Sequence, residues 1–186
     1  NRYDDALLAA DRVIQLHPGF DGVAYAYYLI AISYYEQIVD IGRDQRLTER
    51  ALTSLEDIVR RFPDSEYATD ARLKIDLARD HLAGKEMSIG RYYLRRGQYL
   101  AAINRFRTVI DEYQTTTHVP EALHRLTEAY LALGVNNEAQ TAAAVLGYNY
   151  PGSEWYQDSY ALLVGEDLRP EVDQESFIAR LWNSIF

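Results

Sequence analysis

The chain has 186 residues, 48% of them hydrophobic, enough to bury a sizeable core as one domain or a short repeat array. Its 28 acidic against 19 basic side chains leave a formal net charge of -9, which argues against nucleic acid as a main partner, because phosphate binding draws its affinity from Lys and Arg. The lack of cysteine removes disulfides, thiol chemistry and Cys-type zinc sites; no apolar run approaches the roughly 20 residues that span a bilayer, and no charged-then-apolar leader opens the chain.

The first element, "YDDALLAADRVIQL", carries a pattern that recurs. Tyr3, Ala6, Ala10, Val13 and Pro18 stand at offsets 0, +3, +7, +10 and +15, and the same offsets catch Thr48, Ala51, Leu55, Ile58 and Pro63. Two more copies follow, Tyr99, Ala102, Phe106, Val109, Gln114 and then Asn136, Ala139, Ala143, Leu146, Pro151. Steps of three and four place the alanine and two apolar positions on one helical face, and a proline just beyond cannot continue the ladder. This describes the second helix of a helix-turn-helix repeat. The apolar face of the first copy has no first helix ahead of it to pack on, so at least one more repeat is expected before residue 1.

Next comes a tyrosine-rich first helix, "VAYAYYLIAISYYEQIVD", and then "IGRDQRLTE", read as a helix extension and a polar loop. Within it "DIGRD" (40–44) sets two aspartates around a glycine but lacks the remaining oxygen ligands of a calcium loop, so it reads as a turn. "SEYATDARLKIDLARDHLA" predicts a long helix capped by Ser65 and closed by Gly84, with a further helix starting at Glu86. There, Gly90 and Ala102 are small enough for two helices to approach closely, Tyr93 fills the space beside them, and Gly97 makes the turn. Leu123, Leu126 and Tyr130 precede Gly134 in the same way, and "WYQDSYALLVGED" reads as a last repeat helix.

The recurring Leu/Ile-Gly-x-x-Tyr, Ala-x-x-x-Phe and Pro markers resemble the tetratricopeptide repeat, which implies an all-α superhelix of antiparallel helix pairs. The end markers sit at 18, 63, 114 and 151, so the steps are 45, 51 and 37 residues where a regular array has about 34. Two insertions account for the excess, and such insertions usually serve a partner surface. The expected division is an array over 1–164 that begins inside a repeat, a linker over 165–174 and a C-terminal amphipathic helix over 175–186. That helix carries Phe177, Ile178, Leu181, Trp182 and Ile185 as one stripe, which either folds back over the array or docks on a partner.

Catalytic patterns are not recognised. His17, His81, His118 and His124 show no metal-ligand pairing and are expected on the surface or in loops, and no nucleophile elbow, phosphate loop or dinucleotide fingerprint occurs. Acidic neighbours such as Glu56/Asp57 and Asp111/Glu112 read as solvated helix turns. The expectation is a non-enzymatic protein without cofactor or metal. What stands out is "EMSIGRYYLRRGQYLAAINRFRTVIDEY" (86–113), with Arg91, Arg95, Arg96, Arg105 and Arg107 in an acidic chain. With Gly90, Tyr93, Ala102, Phe106 and Val109 facing inward, the arginines fall on a rim, interleaved with Tyr92 and Tyr99. Tyrosine with arginine is a composition favoured at binding hot spots, and Tyr93, Arg96, Tyr99 and Arg105 are the partner-binding candidates.

The linear string over 63–113, with its Tyr-x-Thr-Asp-Ala helix, Asp-x-Leu-Ala, Glu-x-Ser-x-x-x-Tyr-Tyr, Arg-Gly and Ala-x-x-Asn-Arg, is similar to the BamD (YfiO/ComL) family of outer-membrane assembly lipoproteins. The resemblance extends from the first repeat through residue 163. It implies a five-repeat scaffold, lipid-anchored on the periplasmic face of the outer membrane, that binds the periplasmic domains of BamA through its C-terminal repeats, works with the other assembly lipoproteins and helps insert unfolded outer-membrane proteins. It places Arg105 at a family contact with BamA. The family's anchoring cysteine and first repeat have no counterpart in this sequence. Two other readings remain: a different periplasmic repeat adaptor serving cell division or peptidoglycan, and an α-solenoid muramidase with a catalytic glutamate.

Overall fold

The computed structural model describes residues 2–185, with the side chain of Ile185 outside the described set, as are Asn1 and Phe186. The described residues form nine α-helices and no strand: α1 (Tyr3–Leu16), α2 (Val23–Tyr35), α3 (Arg46–Arg61), α4 (Glu66–Arg95), α5 (Tyr99–Glu112), α6 (Val119–Ala132), α7 (Asn136–Asn149), α8 (Glu154–Gly165) and α9 (Phe177–Ile185). They divide into two compact units, Asn1–Leu82 and Ala83–Phe186, the boundary falling within α4. Within the units, neighbouring helices pack as pairs, α1 on α2, α2 on α3, α5 on α6 and α6 on α7. This is the all-α, tetratricopeptide-like arrangement that the repeat pattern implies.

The four sequence copies share one backbone signature. Helices α1, α3, α5 and α7 end at His17, Phe62, Tyr113 and Tyr150, whose φ values lie between -136 and -129 and ψ between 42 and 56. Their N–H groups donate to the carbonyls of Val13, Ile58, Val109 and Leu146, the +10 residues of the pattern. A turn then closes each time three residues on, at Phe20, Ser65, Thr116 and Ser153. Tyr113 takes this geometry although Gln114 replaces proline, so the turn stands on its hydrogen bonds and the proline merely blocks further helix.

Helices α4, α6 and α8 end differently, each with a left-handed residue: Gly97 (φ 68), Gly134 (φ 71) and Asp167 (φ 58). The next N–H in each case donates back five residues, Gln98 to Tyr93 (3.0 Å), Val135 to Tyr130 (2.9 Å) and Leu168 to Leu163 (2.9 Å), which satisfies carbonyls that the helix end would otherwise orphan. From α3 to α8 the two kinds of terminus alternate, separating first from second helices of the repeats, whereas α2 ends at Glu36 in the right-handed helical region.

One expectation is corrected. Gly84 does not close a helix, and no new helix starts at Glu86; α4 runs unbroken through both for 30 residues. A glycine inside a helix costs about 1 kcal/mol relative to alanine, a cost that flanking buried side chains offset here. Ala83 and Met87 are fully buried in the second core, alongside Ala102 and Phe106. Ser65 caps the start of α4 as expected, its Oγ accepting from the Ala68 N–H at 3.2 Å.

The first unit packs Ala31, Leu55, Ile58, Ala68, Ala71 and Ile75 together under the rings of Tyr27, Tyr28, Tyr35 and Tyr67. In the second, Phe106, Val109, Leu123, Leu126, Leu146 and Leu163 are fully buried. The sequence after α8 is fastened to α7 rather than swinging free. Gln140 Nε2 donates to the Arg169 carbonyl (2.7 Å), and Thr141 Oγ1 accepts from the Asp173 N–H (3.0 Å). At the start of α9 the Phe177 N–H donates to Glu138 Oε1 and the Ala179 N–H to Ser176 Oγ, both at 3.1 Å. Ile178 and Trp182 are buried against the same core, and α9 lies along α7.

Candidate partner-binding surface

The arginine-rich hairpin is built around a close approach. Gly90 on α4 is buried, and a Cβ placed on it would lie 2.4 Å from Cε1 of Phe106 on α5. Only a glycine lets the Phe106 ring, itself fully buried, lie against the α4 backbone. This contact fixes which way the remaining faces of α4 and α5 point.

Arg105, on α5 one residue before that ring, faces back towards α4, where its Nη1 donates to Glu86 Oε2 at 3.1 Å and to Oε1 at 3.4 Å. The Glu86 side chain is 18% exposed and that of Arg105 43% exposed, so the carboxylate is held in the wall while the guanidinium reaches solvent. One guanidinium carries five N–H donors, and a contact through Nη1 leaves the opposite edge for an outside acceptor. Glu86 occupies this place because α4 continues past Gly84.

At the top of the hairpin, Arg96 lies over the Tyr92 ring at 4.7 Å, and the Tyr92 and Tyr93 rings meet edge to face at 5.7 Å. Tyr92 is exposed, whereas Tyr93 and Tyr99 are half-buried against the core. The exposed ring of the cluster is therefore Tyr92, which the candidate set did not include, and Tyr93 acts mainly as packing. Strict helical spacing could have found it, since Tyr92 is four residues before Arg96 and neighbours it on one face. Tyr93, Arg96 and Tyr99 gather at the turn, while Arg105 stands roughly 9 Å further along α5, six residues at the helical rise.

Two of the other arginines of the stretch, Arg91 and Arg107, have partners inside the second unit. Arg91 is half-buried and bridges from α4 to Glu121 on α6 (2.8 Å), so it is a packing tie instead of a rim charge. Arg107 lies over the Phe177 ring at 3.3 Å, at the start of α9. Arg95 is exposed.

His124 also departs from expectation: it is buried on α6, not on the surface. Its Nδ1 is 2.9 Å from Ser159 Oγ, its ring lies 5.3 Å from Trp155, and burial pushes its pKa down, helped by the neighbouring Arg125. Tyr130 is pushed up to about 12 by burial and by Glu138. Ser159 is fully buried, so the His124–Ser159 pair, like Tyr130, is a packed polar group of the helix layer. Among the described residues no group of three or more His, Asp or Glu side chains is placed to hold a metal ion, and no helix is long and apolar enough to cross a membrane.

Comparison with known proteins accounts for most of the chain. The profile of the YfiO family, described as "Outer membrane lipoprotein", matches residues 1–146. Proteins named "Outer membrane protein assembly factor BamD" are similar: that of Caulobacter vibrioides is 60% identical over 173 residues, covering 93% of this chain and 57% of the relative. That of Rickettsia prowazekii is 52% identical over 162 residues, covering 87% and 64%, and that of Neisseria meningitidis serogroup A is 36% identical over 160 residues, covering 81% and 60%. The chain thus spans 57% to 64% of the length of these relatives. With paired helices, the two alternating terminus types and this match, the chain belongs to the YfiO family of outer membrane lipoproteins.

Proposed function

We propose that this chain is the BamA-binding part of a non-enzymatic scaffold in the outer-membrane β-barrel assembly machinery. In this reading its second unit, with the α4–α5 hairpin at its start, holds the periplasmic domains of BamA in a productive orientation. The observation that carries the reading is the half-exposed Arg105 guanidinium, oriented by Glu86, at a position where the family resemblance implies a contact with BamA. The relatives' printed name, an outer membrane protein assembly factor, supports the setting.

The work of such a scaffold is geometric. The Gly90–Phe106 contact and the Gly97 turn fix the hairpin, so Arg105, Arg96 and the Tyr92 ring are placed before a partner arrives and little conformational freedom is lost on binding. Tyr92 and Arg96 offer a flat amphipathic stack, and Arg105 offers paired donors suited to a carboxylate. No chemical step is involved. In the same proposal the complete protein stands lipid-anchored at the periplasmic face of the outer membrane, contacts other assembly lipoproteins and meets unfolded outer-membrane proteins.

Isothermal titration of this chain with the purified periplasmic domains of BamA from the same organism tests the reading. Saturable binding, weakened by about 2–5 kcal/mol in Arg105→Glu, is the expected result for a charge desolvated against a carboxylate. Absence of binding by the unaltered chain, or an affinity unchanged in Arg105→Glu, would remove the assignment.

A further inference from the structure

An open cleft lies between α6 and α8 in the second unit, apart from the arginine-rich hairpin. It is about 410 Å³ in volume and is lined by His124, Arg125, Glu128, Asp158, Ala161 and Leu162. Helical spacing sets its walls: His124 and Glu128 are four residues apart on α6, and Asp158 and Leu162 four apart on α8, so each pair shares one helix face.

A buried imidazole reaches the cleft with one edge unused. His124 is only 5% exposed, and its Nδ1 meets the fully buried Ser159 Oγ at 2.9 Å, which closes that edge. Its Nε2 has no hydrogen-bond partner among the described residues and is not among the side-chain atoms sealed from solvent. Packing on Trp155, with ring centres 5.3 Å apart, keeps the imidazole from turning this edge elsewhere. Burial favours the neutral ring, so His124 adds no positive charge to the cleft at neutral pH.

The cation of the cleft is already engaged. Arg125 donates through Nη1 to Glu128 Oε2 (2.9 Å) and through Nε to Glu121 Oε1 (3.5 Å), and its guanidinium lies over the Trp155 ring at 5.3 Å. Glu121 also accepts from Arg91 on α4, so two arginines balance two glutamates. Asp158 remains as the uncompensated charge, exposed and without an ion-pair partner among the described residues. Glu128 uses Oε2 for Arg125, which leaves Oε1 for an outside donor.

From this arrangement we infer that the α6–α8 cleft binds a basic peptide segment. One arginine or lysine head sits between Asp158 and Glu128 Oε1 with His124 Nε2 as a further acceptor, and its methylene stem lies on Ala161 and the 39% exposed Leu162. A carboxylate in the same place would meet Asp158 and Glu128 as like charges. A bound cation selects the tautomer in which Nδ1–H donates to Ser159 Oγ and Nε2 carries the lone pair. The inference does not rest on the BamA reading: the hairpin presents cations, this cleft anions.

Fluorescence anisotropy with a short fluorescein-labelled peptide of alternating Arg and Ala tests the inference on the 186-residue chain. The expected result is saturable binding, weakened at least about five-fold in the double variant Glu128→Gln/Asp158→Asn. Asp158→Asn alone, at an exposed position where folding is not at stake, is expected to weaken it in the same direction. His124→Phe keeps a ring beside Trp155 while removing Nε2, and a folded His124→Phe chain is expected to bind about three-fold more weakly. Asp111→Asn/Glu112→Gln makes the same change of net charge at exposed positions of α5 and should have a much smaller effect. Arg105→Glu, which tests the BamA reading, should not lower peptide affinity, so the two readings fail separately. The inference is overturned if the peptide fails to bind, if the cleft double variant or a folded His124→Phe binds as the unaltered chain does, or if a peptide with Glu in place of Arg binds equally well. It is also overturned if Asp111→Asn/Glu112→Gln weakens binding as much as the cleft pair, because binding would then follow net charge alone.

Discussion

The backbone of Gly90 and the ring of Phe106 occupy space that no larger residue at position 90 could share, the nearest ring atom lying 2.4 Å from where a Cβ would sit. Two effects of a Gly90→Ala change oppose each other. Alanine favours helix by about 1 kcal/mol, while forcing a buried ring out of its rotamer costs about 1–3 kcal/mol. Phe106 is fully buried and cannot move into solvent, so the clash wins and Gly90→Ala lowers stability. Adding Phe106→Leu to it recovers part of the loss, because the shorter side chain yields the contested space. Urea unfolding of the two single variants and the double variant checks this; simple additivity of the two losses would contradict the contact.

Asp167 sits at φ 58 in the position that Gly97 and Gly134 fill at the ends of α4 and α6. An aspartate there strains the backbone and also places negative charge at the negative end of a helix dipole. Asp167→Gly is therefore expected to stabilise by about 0.5–1 kcal/mol. Gly97→Ala and Gly134→Ala are expected to destabilise by about 1 kcal/mol each, with no steric contribution, since a Cβ at either would meet nothing within 4 Å. Thermal unfolding midpoints decide both signs.

His124 gives the second unit a defined response to acid. Its pKa is lowered in the folded state, chiefly by burial, from an ordinary value of 6.5. Above that value the imidazole is neutral in both states and the packing on Ser159 and Trp155 is fully available. As the pH falls below about 6.5 the unfolded chain takes up the proton first, so stability declines towards the folded pKa. Glu121, Glu128 and Asp158 oppose the shift without cancelling it. Denaturant midpoints measured between about pH 7.5 and 5.5 should drop less in His124→Gln than in the unaltered chain. Parallel slopes would show that this imidazole does not drive the response.

The repeat register was legible because it rests on residue size: alanine at Ala51, Ala102 and Ala139 is needed where helices touch, and all three are fully buried. Helix ends at Gly97 and Gly134 were legible for the same kind of reason, a backbone conformation that excludes most side chains. Gly84 misled because a glycine signals a stop only where the chain needs a positive φ, and here buried neighbours carry the helix through it. His124 misled because a local pattern cannot reveal Ser159, its hydrogen-bonding partner 35 residues away. At the surface, the pattern placed Arg91 on the rim, but Glu121 comes from another helix and draws it inward. Side-chain pairing across helices is a property of packing, and it decided which arginines remain available.

Trp182 anchors α9 by packing into the second core, and the preceding segment is held by hydrogen bonds to α7 and by Leu168 packed against the core. Truncating a buried tryptophan costs about 3–5 kcal/mol where the whole fold must bear it. A nine-residue terminal helix can instead detach locally, which limits the global loss. Trp182→Ala is thus expected to leave the main unfolding transition within about 1 kcal/mol of its starting value while opening residues 168–176 to protease. A large global loss with no new cleavage would mean that α9 is integral to the core.

The pairing of Arg105 with Glu86 separates the two roles that one arginine can play. As an intrachain pair with the guanidinium 43% exposed, it contributes little to stability, about 0–1 kcal/mol. Arg105→Glu should accordingly unfold close to the unaltered chain while losing affinity for the periplasmic domains of BamA. Glu86→Gln keeps an acceptor near Nη1 but holds it less firmly, so a smaller loss, roughly three-fold in Kd, is expected. The charge-swapped variant, Glu86→Arg with Arg105→Glu, can remake the pair in reverse and regain whatever stability the pair supplied. It should not regain binding, because a partner carboxylate would now face Glu at position 105. Calorimetric titration alongside urea unfolding of all four proteins distinguishes the roles. Recovery of binding by the swap would reduce Arg105 to a structural tie.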